Sequence, residues 1–500
     1  MVQGRRRGAI AAFIVAAMLP VAVGATATPV AAAAAPCKVV NVRTGVATNR
    51  LQVALDAAAA NDTLRITGVC SGSFSIGDGY AADRRLTLRK GATAATLRGN
   101  GGRVVAVESG TISIVGIRIT GGKGYDCPSG DSADGCGGGI WNAGALTLTG
   151  MTVDGNDSTG AGVTMHDGGG IYNAPTGTLH LVRSTVKGNT APEGAGIYNA
   201  LGGHVRILRS TVSANTATYP VLANARGGGI YNAGVLTIDL STISGNTATS
   251  PVEATGGGIW SGGPSSSITL VRSTVAGNTV GGAAAVSGGG VYLTDASPAT
   301  ITRSTISGNR ATDNGQGGGI SVDATSLDII ASTISGNVAG LQYGGIAAGG
   351  PLTLLSSTVT ANRAPIVGGV AASGLFALQS TILAGNRSTN IDDPDEDCSA
   401  FPGNTSGDHS IIGVAVAGHC GNFTDGADGT KVGTAAKPVN PKLGPLASNG
   451  GPTRTHALLA GSPAIGAGGP KPCAATTDQR GVARPKPTGS RCDIGAYERS

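Results

Sequence analysis

The sequence predicts an all-β solenoid: a three-sided parallel β-helix with a short N-terminal capping helix and an irregular C-terminal domain. Three observations predict it. A phrase close to GGGIYNAGxLTLxxSTVSGNTA recurs nine times, with its clearest copies beginning at Gly168, Gly227 and Gly256. An imperfect repeat of this length marks a stack of like coils. Within each copy the apolar residues alternate, as in Leu236-Thr237-Ile238 and Ser241-Thr242-Ile243, which is the period of a strand. Glycine supplies 85 of 500 residues, a load that helices do not tolerate. Three short strands separated by Gly, Asn and Ala turns make three sides. The general rule for parallel crossovers makes the coil right-handed.

At the N-terminus, Arg5, Arg6 and Arg7 precede an apolar run from Ala9 to Val23, and Ala25-Thr26-Ala27 fits a small-residue cleavage site. This is the pattern of a secretory signal peptide over residues 1–27, followed by a linker over 28–36. The run is short for a membrane span and is broken by Pro20. No later stretch is apolar enough to span a membrane, so the expected product is secreted or extracellular, and a monomer. Removal of three arginines leaves 32 Lys and Arg against 29 Asp and Glu, without a basic block. Nucleic acid is therefore not an expected partner.

Residues 37–390 form the expected β-helix. Leu51 to Ala60 is apolar and Ala-rich and reads as a short helix covering the open end of the core, where strand edges are otherwise unpaired. Leu64-Arg65-Ile66, Leu86-Thr87-Leu88 and Ile112-Ser113-Ile114 then read as strands of less regular coils. Two landmarks measure the nine clear copies. One is the apolar residue closing GGG: Ile140, Ile171, Ile197, Ile230, Ile259, Val291, Ile320, Ile346 and Val370. The other is the Asn closing STxSGN, from Asn156 to Asn386. The first landmark leads the second by 16 to 19 residues, whereas 8 to 15 residues separate each Asn from the next copy. The first segment is the scaffold. The second is a variable loop, and all such loops should emerge along one side. Roughly a dozen coils about 4.8 Å apart give a rod about 60 Å long. After Asn390 the repeat stops. An acidic loop, Asp392 to Asp397, opens a C-terminal domain over 391–500, rich in Pro and Gly.

The repeats resemble those of pectate-lyase-like proteins and, more closely, of polymorphic outer membrane proteins. The last hundred residues resemble the domain called choice-of-anchor Q. The matching strings are Leu443-Gly-Pro-Leu446, Asn449-Gly-Gly-Pro-Thr453, Thr455-His-Ala-Leu458, Gly461-Ser-Pro-Ala-Ile465, Asp478-Gln-Arg-Gly481 and Cys492-Asp-Ile-Gly-Ala-Tyr-Glu498. Members of that domain family often precede an anchoring tail. This chain stops at Ser500, two residues after the last string, which implies release from the cell or non-covalent attachment. The resemblance implies no single activity.

Eight cysteines in an exported chain read as disulfides. Proximity predicts Cys37 with Cys70, Cys127 with Cys136, Cys398 with Cys420, and Cys473 with Cys492. Neither CxxC pairs nor neighbouring histidines support a structural metal.

Four features bear on function. The Asn column reads as an amide ladder. A Thr column from Thr152 to Thr381 occupies the same place in all nine copies. Good strand formation accounts for such a row, unless it is the flat face of an ice-binding solenoid. The residue after GGGI is Trp141, Tyr172, Tyr198, Tyr231, Trp260 and Tyr292 in six copies, then Ser321, Ala347 and Ala371. Alternation turns these rings outward, where they either stack on one another or receive a polysaccharide or cell-surface glycan. Finally, the variable loops carry Asp126, Asp131, Asp134, His166, Asp167, Glu193 and Arg226. These are solvating charges, or they bind calcium or abstract a proton from a uronic acid. No cofactor is expected beyond that calcium.

Hydrolases of the pectate-lyase-like fold carry an Asp-Asp pair and a His-Gly string on adjacent coils, and the repeats here hold neither. Lyases of that fold use an Arg or Lys base near strand carboxylates. Arg183, Arg209, Arg272 and Arg303 form a partial column before the Ser-Thr pair, but their uniform placement fits a surface ladder. A Ser-His-Asp triad lacks a nucleophile elbow at His456. The expected function is a non-catalytic extracellular scaffold, adhesin-like or glycan-binding. The alternative is a polysaccharide lyase or glycoside hydrolase.

Overall fold

The computed structural model describes residues 35–77, 84–124, 135–159, 166–219, 224–282, 284–295, 298–323, 325–390, 397–401, 403–416, 419–420, 422–469 and 472–499, with the backbone alone at 135, 136 and 166. The expected signal peptide, most of the acidic loop and Cys127 lie outside these residues.

The chain winds as a right-handed parallel β-helix. One central coil shows how the repeat folds. Ile230–Asn232 forms a strand, Ala233 and Gly234 turn, and Val235–Asp239 forms the second strand. Leu240 adopts φ 50° and bends the chain into Thr242–Ser244. Gly245, at φ 61°, makes the next corner into Thr247–Thr249. Stacking these segments gives three large sheets of 12, 27 and 8 strands, the largest holding two strands from each central coil. Register matches like with like: Ile230 lies on Ile259, Leu236 on Ile268, and Ile243 on Val275. The inward Ile, Leu and Val residues therefore form one long apolar column.

The GGG triplet has a steric cause. A Cβ on Gly229 would lie 2.6 Å from the Gly258 carbonyl oxygen and 2.9 Å from the Asn246 amide nitrogen. The third glycine is the space that the Asn ladder and the next coil occupy.

At the N-terminal end the helix is Leu51–Asp56, shorter than the expected Leu51–Ala60. It buries Leu51 and Leu55 against the core. The first strand, Lys38–Asn41, is antiparallel to both Ala47–Thr48 and Asp62–Ser71, so the parallel stacking of strands begins with Asp62–Ser71 and not at residue 37. The strands expected at Leu64, Leu86 and Ile112 form and stack in register.

The variable segments are more ordered than loops. Ala225–Arg226, Glu253–Thr255 and Ala285–Ser287 pair as a parallel sheet of their own. Beneath them Ala191, Ala217, Ala248, Ala254, Val280 and Val286 form a second, narrow core.

Two expectations at the C-terminal end are corrected. The ladder does not stop at Asn390. Cys398–Ala400, Thr405–Asp408 and Ile411–Ile412 add a further coil, and Lys431–Val432 pairs on its edge. A parallel ladder needs inward apolar residues, not the repeat phrase, and Cys398, Ala400 and Ile412 supply them. Nor does Thr381 continue the Thr column. Thr358 pairs with Ile382, while Thr381 accepts from the Ser357 amide at 3.2 Å, as serines do in the earlier coils. In the last copy the Ser-Thr pair lies one residue further from its Asn, so Thr381 takes the serine position. Ile382 instead packs with Ile411, Leu458, Ala464 and Ile494.

The C-terminal residues fold back along the outside of the last coils. Apart from the antiparallel pair Leu443–Ala447 and Thr455–Leu458, they are turns. The disulfides Cys37–Cys70, Cys398–Cys420 and Cys473–Cys492 form as expected. The fourth pair, Cys127 with Cys136, falls outside the described side chains.

Candidate functional site

The ladders are satisfied from within. The Asn246 amide donates to the Asn278 side-chain oxygen at 2.9 Å and to the Val212 carbonyl at 3.1 Å. The same pattern runs to Asn386, which donates to Asp397 at 2.8 Å. A second amide ladder joins Asn142, Asn173, Asn199 and Asn232, then ends on Ser261. Sequence reasoning passed over it, although the Asn of GGGIYN was its signal. The Arg column sits at the left-handed bend of the coil, with φ near 47–49° at Arg183, Arg209, Arg272 and Arg303. Arg272 pairs with Asp239 at 2.5 Å on the surface.

The aromatic column leaves the main core, as alternation requires, but it is not an open platform. Tyr172, Tyr198, Tyr231 and Trp260 stack face to face, with centroids 4.9, 4.4 and 4.2 Å apart. Trp141, Tyr231 and Trp260 retain only 5%, 9% and 6% exposure. The faces are taken by neighbouring rings, so a sugar along this stretch would meet ring edges.

Beside the stack lies a charged group. Arg226 bridges Glu193 at 3.7 Å and Glu253 at 3.5 Å, and its guanidinium lies 5.6 Å from the Trp260 ring centre. Asp167 and Glu193 are buried beside it. Burial, and then the Asp167 charge, hold the Tyr198 hydroxyl protonated well above its ordinary range. Burial and then Glu193 do the same at Tyr231, against Arg226. The tyrosines therefore offer neutral hydroxyls. Of the predicted loop residues, Asp167, Glu193 and Arg226 come together with the aromatic column. Asp126, Asp131, Asp134 and the His166 side chain lie outside the described residues. Among the described residues, no group of three or more His, Cys, Asp or Glu is placed to hold a metal ion.

The column changes character after Tyr292, whose hydroxyl bonds Asp323 at 2.5 Å. Ser321, Ala347, Ala371 and Ser399 follow in register. Over these small residues the surface is hollow. One cavity of about 420 Å³ spans Ser321, Asp323, Ala347 and Ala371 under Tyr343. A second of about 290 Å³ continues it over Ala371 and Ser399 to Phe401 and His419. Tyr343 stands where most other copies have the first Gly of GGG. It keeps that position's left-handed backbone, at φ 62° against 60° for Gly317. Sequence reasoning missed Tyr343, Phe401 and His419, because only the first is marked by the repeat, as a Tyr replacing a Gly.

No described helix is long and apolar enough to cross a membrane. No curated protein matches the chain. A family model described as a right handed beta helix region matches residues 222–389, the stretch where the ladders are most regular, and with the fold it makes this chain a β-helix repeat protein.

Proposed function

We propose that this protein is a secreted, non-catalytic β-helix scaffold that holds extracellular glycan on its outer surface in an adhesin-like way, as a monomer. The observation that carries the reading is the Arg226 group. Its guanidinium bridges Glu193 and Glu253 and lies against the Trp260 ring, which suits a rigid wall. General acid–base chemistry instead needs a carboxylate and a base held apart around a substrate. The signal-like N-terminus, the disulfides and the resemblance to choice-of-anchor Q support export to a surface or to the medium.

The enzyme reading, a polysaccharide lyase or glycoside hydrolase, has one observation in its favour: Asp167, Glu193 and Arg226 do converge. The test is incubation of the purified chain with acidic and neutral polysaccharides, with and without calcium. Retention of a glycan without new reducing or unsaturated ends is the expected result. Cleavage of any of them overturns the scaffold reading.

A further inference from the structure

We infer that the trough over Ser321, Ala347, Ala371 and Ser399 is a binding site for a short neutral oligosaccharide. The inference rests on the glycan-binding reading above and gives it a place and a ligand class. Six coils fill this outward position with a ring, and the next coils leave it open. The resulting trough runs three coil steps, about 14 Å, and its two cavities adjoin at Tyr343, Ala371 and Ser373.

Two hydroxyl-bearing residues line the trough and are available to a ligand. Ser321 is 6% exposed and lines the trough. Its neighbours Ile320 and Val322 are in the core, so alternation aims its hydroxyl outward. Its hydroxyl opens to the trough, where water or a sugar hydroxyl can pair with it. Tyr343, half-buried, lines both cavities and holds a backbone conformation that a glycine holds in most other copies.

The lining selects the ligand. No Lys or Arg lines either cavity, so a uronate or sulfate would find no fixed cation. Both neighbours of each strand beneath are already paired, which leaves no edge for a peptide to join as a strand. What remains is a ligand with hydroxyls for Ser321, Gln316 and Ser373 and apolar ring faces for Tyr343 and for Phe401, which is 62% exposed. That is the chemistry of a neutral sugar.

The test is calorimetric titration of the full, oxidised chain with short neutral gluco-, manno-, galacto- and N-acetylglucosamine oligomers and with matched uronic-acid oligomers. A neutral series should bind. Ala347→Tyr, which continues the column as Tyr292 does, should fill the trough and cut affinity tenfold or more at unchanged Tm. Tyr343→Gly, which restores the residue of most other copies, should keep or raise Tm and weaken binding similarly. If Ala347→Tyr does not fold, Tyr343→Gly decides alone. Neutral binding that survives both variants overturns the trough and leaves the wider reading standing. Binding of uronic-acid oligomers alone overturns the ligand class. No binding of any oligomer overturns both.

Discussion

The Gln479 side-chain oxygen accepts a hydrogen bond from the Thr333 hydroxyl at 2.6 Å, across 146 residues of chain. The Gln479 amide donates in turn to Thr305 and Thr453 at 2.8 Å and to the Arg454 carbonyl at 2.9 Å. Gln479 is fully buried. The Thr column is thus two surfaces. From Thr152 to Thr274 it is partly open, and from Thr305 onward it is the seat of the C-terminal segment. At the adjacent bend stand Arg183, Arg209, Leu240 and Arg272 along the open stretch, and Arg303, Ala331, Ser356 and Ser380 along the covered one.

Replacing Gln479 with Ala leaves the buried Thr333 hydroxyl unpaired, at a cost of about 1–3 kcal/mol. The C-terminal segment should then loosen from an intact solenoid. Limited proteolysis should release fragments ending near residue 440, at protease levels that leave the native chain whole. Equal resistance of both proteins would show that the amide does not hold the seat.

His456 makes the same seat pH-sensitive. Its Nδ1 donates to the Gly444 carbonyl at 2.7 Å, which leaves Nε2 to accept from Ser335 at 2.9 Å. Burial pushes its pKa below the ordinary value of about 6.5. The unfolded state therefore takes up the proton first as pH falls. The stabilisation is complete above about pH 6.5 and is lost on acidification toward the lowered native value. Glu498 runs the opposite way, because burial raises its carboxyl and favours the fold at low pH. The difference in Tm between the native chain and His456→Gln, followed from pH 7.5 to 5, isolates the histidine. That difference should shrink as pH falls; a constant difference would exclude the mechanism.

The two kinds of glycine should behave differently. Gly229→Ala drives a methyl into the Gly258 carbonyl and the Asn246 amide and should cost about 3 kcal/mol. Gly245→Ala meets no atom within 4 Å, and Ala214 and Ala361 already hold its left-handed conformation in other coils. It should cost about 1 kcal/mol. Chemical denaturation of the two variants gives the comparison, and equal losses would refute the steric account of GGG.

Much of this protein was determined by its sequence alone. The period of two, the phrase recurring in register and the steric demand of GGG specify the coil, the inward Ile column and the Asn ladder, because each depends only on contacts between one copy and the next. The disulfide partners Cys37–Cys70 and Cys473–Cys492 were legible for the same local reason. Tertiary structure decided the rest. Whether Tyr198 shows its face depends on coil spacing, and at this spacing like rings in register close on each other. Whether Thr333 faces water depends on a residue 146 positions away. The convergence of Glu193, Arg226 and Glu253 depends on how variable segments of different length stack. The trough exists only because successive coils set Ser321, Ala347 and Ala371 in line under Tyr343. A repeat encodes nearest-neighbour contacts, whereas a site is made by residues that no single copy contains.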